Sequence, residues 1–243
     1  MGKDAHADTI RNIAVVSAAG AGTTSLVEAL LYTASVISAM GSVGSGTTVS
    51  DFEPEEIHRK VSVNTTVAHF SWKSITFNLL DTPGALSFQG ETKLALHAVD
   101  GVLIVLGAAS GMRTELEKLW TTISDLRLPC ILFVNELDKE RTAIEPVLKA
   151  CEDALEISTV PVTIPIGAEG RLEGVVHVTE GAAYRSVAGS AKVLRGDVPA
   201  DVVGLVGEAR KKLVESAAET DDRLVEKYLA QGDLTEAEMM QGI

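Results

Sequence analysis

One loop decides the fold: Ser17-Ala18-Ala19-Gly20-Ala21-Gly22-Thr23-Thr24. The β-branched segment 12–16 before it predicts a strand, and apolar residues at helical spacing in 24–35 predict a helix after it. Small residues in such a loop allow backbone N–H groups to close around an anion at the helix N-terminus. Gly22 and Thr24 fit the phosphate-binding pattern G-x-x-x-x-G-K-[ST], but Thr23 stands at the lysine position. The loop therefore predicts either a phosphate site, to which Ser25 also belongs, or a tight turn without a ligand.

The chain continues the alternation of strands and helices up to residue 166. Segments 61–70 and 75–80 predict two strands of an antiparallel hairpin joined at 71–74. Further strands are predicted at 101–108, 129–134 and 159–165, and helices at 88–99, 113–126 and 141–155. This order predicts an α/β fold with a doubly wound, mostly parallel sheet and one antiparallel strand. Aliphatic runs in the predicted strands are typical of a sheet buried on both faces.

The pattern changes after Gly167. Short strands and turns are predicted over 170–195, a helical region over 200–229, and the start of another helix over 234–243. We expect a flexible polar tail at 1–10, an α/β core at 11–166 and an α+β subdomain at 167–243. Segment 41–50 is rich in Gly, Ser and Thr without periodicity, which predicts mobility.

Composition narrows the classes of function. Hydrophobic residues make up 46% and aromatic residues 4% of the 243 residues, so the core must be aliphatic. The net charge of −13 argues against a broad nucleic-acid-binding surface, because phosphate contacts need Lys and Arg.

Cys130 and Cys151 lack metal-ligand or redox spacing and are interpreted as buried thiols. No apolar stretch reaches the roughly 20 residues of a membrane helix, and 1–10 is unlike a signal peptide, so we expect a cytoplasmic location without membrane contact. We also expect a monomer.

Two further motifs follow predicted strands. Asp81-Thr82-Pro83-Gly84 has the form D-x-x-G, which places a carboxylate beside a metal ion and a glycine amide beside a terminal phosphate. Its alternative interpretation is an ordinary Pro-Gly turn. Asn135-Glu136-Leu137-Asp138 follows an apolar run and is similar to N-K-x-D, in which the Asp accepts two hydrogen bonds from guanine. Its alternative interpretation is a helix cap.

The order of these motifs resembles elongation factor G, and the resemblance extends from Asn12 to Ile243. Asp51-Phe52-Glu53-Pro54-Glu55-Glu56 with Arg59 resembles the first switch of that family, and Val61-Ser62-Val63 resembles its I-T-I element. Segments 164–169, 174–176, 214–219 and 234–238 resemble the insert of these factors. The carboxylate run at 53–56 is interpreted as a solvated face of the switch.

The resemblance implies a P-loop GTPase core that binds GTP or GDP with Mg²⁺ and acts with the ribosome. Residues 17–25, Asp81, Gly84 and 135–138 would bind the nucleotide, and Thr24, Ser62 and Asp81 would hold the metal ion. In the family, a serine-alanine motif on a further strand also contacts guanine. We expect it to follow soon after residue 243.

The chain departs from the family at its chemically active positions. Thr23 replaces a lysine whose hydrogen bonds to phosphate are worth roughly 1.5–3 kcal/mol each, or about 10- to 150-fold in affinity. Ala85 occupies the position of the histidine that positions water, a kind of group that contributes roughly 10²–10⁴-fold in rate. Glu136 replaces the base-reading lysine, while Ser62 keeps the hydroxyl of the usual threonine. Gly20 replaces the usual aspartate.

These departures leave two functional hypotheses open. The chain is either part of a ribosome-coupled GTPase, or a pseudo-GTPase that keeps the fold, binds nucleotide weakly and does not hydrolyse it. An ATP-using enzyme is disfavoured, because Asp138 suits guanine and nothing in the sequence resembles an adenine-binding motif.

Overall fold

The computed structural model of the protein describes residues 7–167, 170–187 and 192–243. Ala168 and Glu169, which belong to the resemblance, and residues 1–6 of the predicted tail lie outside the described residues. Contacts divide the chain into two compact units, Met1–Leu137 with Glu145–Leu155 and Asp138–Ile144 with Glu156–Ile243. The strands are β1 (Ile10–Ser17), β2 (Thr66–Trp72), β3 (Ile75–Asp81), β4 (Gly101–Gly107), β5 (Cys130–Asn135), β6 (Thr163–Ile166), β7 (Gly174–His177), β8 (Ala182–Ser186) and β9 (Val193–Gly196). The α-helices are α1 (Thr23–Thr33), α2 (Pro54–Arg59), α3 (Gln89–Leu96), α4 (Thr114–Asp125), α5 (Ile144–Leu155), α6 (Val203–Ala218), α7 (Asp222–Gln231) and α8 (Glu236–Gly242).

The first unit is built on a five-stranded sheet with strand order β2-β3-β1-β4-β5. β1 pairs in parallel with β3 and β4, β4 pairs in parallel with β5, and β2 alone is antiparallel to its neighbour. The predicted α/β fold with one antiparallel strand is thereby confirmed. Because β1, β3, β4 and β5 run in the same direction, the loops that follow them leave the same edge of the sheet.

Alternate residues of β1 face opposite sides of the sheet, and both sides are buried. Val15 packs in a cluster with Val27 and Leu31 of α1, whereas Ala14 and Val16 pack in a second cluster with residues of α3, α4 and α5. Burial on two faces explains why the strand has no polar alternation.

The hairpin of β2 and β3 has a two-residue turn, Lys73 and Ser74, shorter than the predicted turn at 71–74. Both residues have positive φ, 47° and 68°, as in the tight turns that suit the twist of a hairpin. Trp72 and Ile75 therefore pair directly at the end of the ladder.

The helix α2 lies in a charged segment for which the sequence predicts no helix. Pro54 stands at its start, and Glu53 and Glu56 form a reciprocal capping box around its first turn. Capping chemistry thus starts a helix of six residues where apolar periodicity is absent.

The second unit has a four-stranded sheet in the order β6-β7-β8-β9, all antiparallel. Its core joins strand residues such as Val176 to Leu213 of α6 and Met239 of α8. The strand predicted at 159–165 as part of the core sheet is β6, which pairs with β7 instead. The physical reason is that hydrogen-bonding partners, which local sequence does not specify, decide which sheet a strand joins. The contact division assigns Asp138–Ile144 and Glu156–Ile243 to the second unit, and a domain boundary between 166 and 167 stays a prediction.

The predicted tail at 1–10 also ends earlier than expected. A 3-10 turn spans Ala7–Thr9, and Ile10 already pairs with Thr76 at the start of the β1–β3 ladder. Within the described residues, no helix is both long and apolar enough to cross a membrane.

Candidate functional site

The loop at 18–22 connects β1 to α1, as predicted. Gly20 and Gly22 have φ values of 83° and 96°, a conformation that side chains with a Cβ atom rarely adopt. The first backbone hydrogen bond of α1 joins the N–H of Leu26 to the carbonyl of Gly22 at 2.9 Å. The N–H groups of Thr23, Thr24 and Ser25 therefore lie ahead of the helical ladder, where an anion can accept their hydrogen bonds.

The turn after β3 packs directly on this loop. A Cβ atom at Gly84 would lie 2.8 Å from the carbonyl carbon of Ala18 and 2.8 Å from the nitrogen of Ala19. Thr82 donates from Oγ1 to the carbonyl of Val15 at 2.9 Å, and Thr92 of α3 donates to the carbonyl of Pro83 at 3.0 Å. The D-T-P-G turn is thus fixed to β1 and to the loop that follows it.

Asn135 links the end of β5 to the same loop. Its Nδ2 donates to the carbonyl of Ala21 at 2.9 Å, and a Cβ atom at Gly22 would lie 2.4 Å from that nitrogen. The glycine is therefore required by this contact as well as by its φ angle. Three motifs that are far apart in sequence meet at one loop.

The remaining residues of 135–138 are placed differently. Glu136 has a φ of 64°, and its Oε2 would lie 2.9 Å from a Cβ atom built on Gly107, so its carboxylate lies against the end of β4. Leu137 is the last residue of the segment Met1–Leu137 in the first unit, and Asp138 is the first residue of the second unit. The predicted contact of Asp138 with guanine stays a prediction.

A cluster of hydroxyl and carboxylate groups lies next to the start of α1. The hydroxyl oxygens of Thr24 and Ser62 lie 3.4 Å apart, and Ser62 donates to Oδ1 of Asp51 at 2.7 Å. Burial raises the pKa of Asp51, the hydrogen bond from Ser62 opposes the increase, and the charge of Glu56 adds to it. Asp51 is only 4% exposed.

Asp81 is buried at the end of β3, and neither of its carboxylate oxygens accepts a hydrogen bond of normal geometry. Burial raises its pKa to about 6; the hydroxyls of Ser50 and Thr24 oppose the increase, Asp51 adds to it, and the hydroxyl of Thr23 opposes it. These hydroxyls lie close enough to stabilise the charged form without completing its hydrogen bonds. The hydroxyl of Ser50 is likewise buried without a partner.

These groups fit a magnesium ion and a phosphate chain. Mg²⁺ prefers oxygen ligands. The orphaned carboxylate of Asp81 lies near the hydroxyls of Ser50 and Thr24, and the hydroxyl of Thr24 in turn faces that of Ser62. No group of three or more His, Cys, Asp or Glu side chains suited to a metal ion occurs in the described ranges. The candidate oxygen ligands include the hydroxyl groups of Thr24 and Ser62, and their binding of a metal ion stays a prediction.

Several buried polar residues near this loop carry no motif signal in the sequence. Asp51 and Ser50 join the candidate metal site, and Glu28 of α1 is a buried carboxylate with 1% exposure. The run at 53–56 is not uniformly solvated, because Glu56 is also 1% exposed while its neighbours are exposed. The spacing of Glu53 and Glu56 matches a capping box, and this pattern in the sequence indicates that Glu56 folds back on the backbone.

Residues 8–240 match the elongation factor Tu GTP-binding domain family. A crystal structure of a protein from Thermus thermophilus is similar at 33% sequence identity with a TM-score of 0.88. The match covers 96% of this chain and 35% of that protein, so the chain spans about a third of its length. The chain belongs to the elongation factor Tu GTP-binding domain family, as an elongation-factor-G-like GTPase domain.

Proposed function

We propose that this domain binds GTP and GDP together with Mg²⁺ at the loop of residues 17–25. The observation that supports the proposal best is the convergence of Gly84 and Asn135 on that loop. The loop amides and the start of α1 would bind the phosphates, and Asp138 would accept hydrogen bonds from guanine. Calorimetric titration with GTP, GDP and ATP in Mg²⁺ tests this. Binding of guanine nucleotides in preference to ATP is expected, and equal competition by ATP would contradict the proposal.

The magnesium ion would be held by Thr24, Ser62 and Asp81, and when bound it neutralises charge on the phosphate oxygens. Loop amides orient the phosphates, because their N–H groups precede the helical ladder. The methyl group of Ala85 can neither orient a water molecule nor exchange a proton. We therefore expect this chain to hydrolyse GTP slowly or not at all by itself.

We propose further that the domain serves a translation factor that acts with the ribosome. This rests on the family of the domain. The test is multiple-turnover GTP hydrolysis by the full-length protein with and without ribosomes. Hydrolysis should be faster with ribosomes if the ribosome supplies the group that orients water, which Ala85 lacks. A rate with ribosomes that equals the rate in buffer alone would reject this role.

A pseudo-GTPase is the second candidate, and the substitutions at Thr23, Ala85 and Glu136 favour it. Such a module would bind a partner through its fold and bind nucleotide only weakly. Submicromolar affinity together with hydrolysis would exclude it. Comparing the parent with the Thr23→Lys, Ala85→His double variant separates the two functions, because a large gain in both binding and hydrolysis requires an otherwise intact pocket.

A further inference from the structure

The last strand of the second sheet, β9, has a free edge. In the order β6-β7-β8-β9 it pairs with β8 alone, and within the described residues no further strand lies on its other side. All of its residues are exposed. A strand at the edge of a sheet presents unpaired backbone donors and acceptors, to which another extended chain can bind.

The hydrogen bonds of the β8–β9 ladder decide which backbone groups of β9 face outward. The N–H of Val187 donates to the carbonyl of Lys192 at 3.1 Å, so these two residues form a hydrogen-bonded pair. Pairs of this kind alternate with non-hydrogen-bonded pairs along an antiparallel ladder. Leu194 therefore bonds to β8, whereas Val193 and Arg195 direct their N–H and C=O groups away from β8.

Apolar side chains lie on both faces of this edge. Val193 is 56% exposed and Leu194 is 63% exposed. Because adjacent residues of a strand point to opposite faces of a sheet, one of these side chains lies on each face. A strand added beside β9 would cover both of them and remove apolar surface from water.

The edge is also basic, in contrast to the chain as a whole. Segment 182–196 contains Arg185, Lys192 and Arg195 and no Asp or Glu, whereas the net charge of the chain is −13. Nη2 of Arg195 lies 3.9 Å from a carboxylate oxygen of Glu180, and the side chain of Arg195 is 66% exposed. Because such exposed ion pairs contribute little stability, the Arg195 cation stays accessible to a partner.

These three features decide the chemistry of the partner. A second copy of this chain that paired β9 with β9 would bring two basic strands together, and like charges opposite each other destabilise a sheet. Nucleic acid would contact the cations but would leave the outward backbone groups and the apolar side chains unused. An extended acidic peptide matches all three features, because its backbone continues the ladder while its carboxylates face the arginines.

We propose that the free edge of β9 binds an acidic polypeptide segment of another protein, which adds to the sheet as a further strand. Main-chain hydrogen bonds to Val193 and Arg195 hold the segment. The charges of Arg185 and Arg195 select acidic residues, and Val193 and Leu194 pack against its apolar residues. All of these residues belong to the second unit, and the proposal does not depend on nucleotide binding.

Amide hydrogen exchange of the whole chain tests the geometry. The probe is a short acetylated and amidated peptide that alternates Val and Glu, added at saturation. Exchange at Val193 and Arg195 should slow about 10-fold, because their N–H groups gain acceptors. The amide of Leu194, which already faces β8, should change less. Absence of binding, or binding without protection of Val193 and Arg195, would overturn the proposal.

Matched probes separate strand addition from simple charge attraction. A peptide with Gln in place of Glu keeps the backbone donors, and the acidic peptide with every backbone amide N-methylated keeps the charge. Both should bind more weakly than the original probe, as measured by calorimetry. Equal affinity of the N-methylated peptide would contradict strand addition. Tighter binding of a short oligouridylate at β9 would assign the edge to nucleic acid and also contradict the proposal.

Variants assign the binding to the edge. Val193→Pro removes an outward N–H and no ladder bond to β8, so affinity for the acidic peptide should fall about 2- to 10-fold. The Arg185→Gln, Arg195→Gln double variant should lower it about 2- to 30-fold. Arg223→Gln is the control, because this 85% exposed arginine of α7 lies outside the sheet.

Unchanged affinity in the proline variant and in the arginine double variant would reject the assignment. If the proline variant fails to fold, the arginine double variant and the comparison of peptides still decide. A loss of affinity in Arg223→Gln as large as that in the double variant would show that net charge, and not the edge of β9, attracts the peptide.

Discussion

At the residue scale, the candidate site keeps the glycine and polar spacing of the family motifs but has different side chains at several of their positions. Thr23 is buried near Asp81 and provides a hydroxyl where the family pattern has a cation. The phosphates would therefore meet backbone amides without an adjacent lysine charge. The carboxylate of Asp81 in turn accepts no hydrogen bond of normal geometry from the protein. Each of these two features leads to a prediction.

The Thr23→Lys substitution should increase the affinity for GDP, measured in the presence of Mg²⁺, about 10- to 150-fold, because the charged side chain adds a hydrogen bond to phosphate. Isothermal titration calorimetry measures the change. Thr23→Gln is the control for side-chain length without charge. An equal gain with Gln would show that the missing cation is not what weakens the pocket.

Replacing Asp81→Asn should stabilise the nucleotide-free protein near neutral pH. Since the folded-state pKa is raised from 3.8 to about 6, the folded protein binds this proton more tightly than the unfolded chain does. Its contribution to stability is complete below pH 3.8 and is lost as the pH rises through about 6. The free energy of unfolding of the variant relative to the parent should therefore increase by about 2 kcal/mol between about pH 4.5 and about pH 7.5.

Urea unfolding in the presence of a chelator provides this measurement. The exposed Asp125→Asn variant is the control and should follow the parent at both pH values. A constant difference between the Asp81→Asn variant and the parent across the pH range would contradict the assigned cause.

At the element scale, the site depends on contacts between turns that follow neighbouring parallel strands. β1 pairs with β3, and the turns that follow the two strands touch at Gly84 and Ala18. The strand and helix types follow from periodicity, so most elements of the first unit lie within a few residues of their predicted bounds. α2 was missed because its signal is a cap and a proline, without an apolar repeat.

Replacing Gly84→Ala should weaken nucleotide binding and lower the free energy of unfolding by about 1–3 kcal/mol, because the added methyl group would overlap the backbone of the 17–24 loop. Gly90→Ala is a matched control, since a Cβ atom at that position of α3 meets open space. Chemical denaturation and calorimetry measure both effects. Equal behaviour of the two variants would show that the turn and the loop do not depend on this contact.

At the scale of the whole molecule, the chain has two compact units with separate apolar clusters. Leu213 belongs to the cluster of the second unit, and Leu119 to a cluster of the first. Both side chains are almost fully buried. Each unit therefore has a core whose loss can be tested separately.

Replacing Leu213→Ala should lower the stability of the second unit by about 2–5 kcal/mol through loss of apolar contact and formation of a cavity. Amide exchange should increase in β7 and α6 while β1 and β4 stay protected. The reciprocal variant Leu119→Ala should give the opposite pattern. A uniform increase over both units in either variant would show that they unfold as one cooperative body.

The sequence by itself determined the α/β alternation, the antiparallel hairpin and the three motifs at 17–24, 81–84 and 135–138, because periodicity and glycine positions are local properties. Tertiary structure alone decided that β6 joins the second sheet, since pairing partners are distant in sequence. It also decided that Asn135 donates to Ala21, that Asp51 faces Ser62, and that Glu28 and Glu56 are buried. The physical reason is the same in each case: whether a polar side chain is solvated or accepts a backbone hydrogen bond depends on which distant segments pack around it.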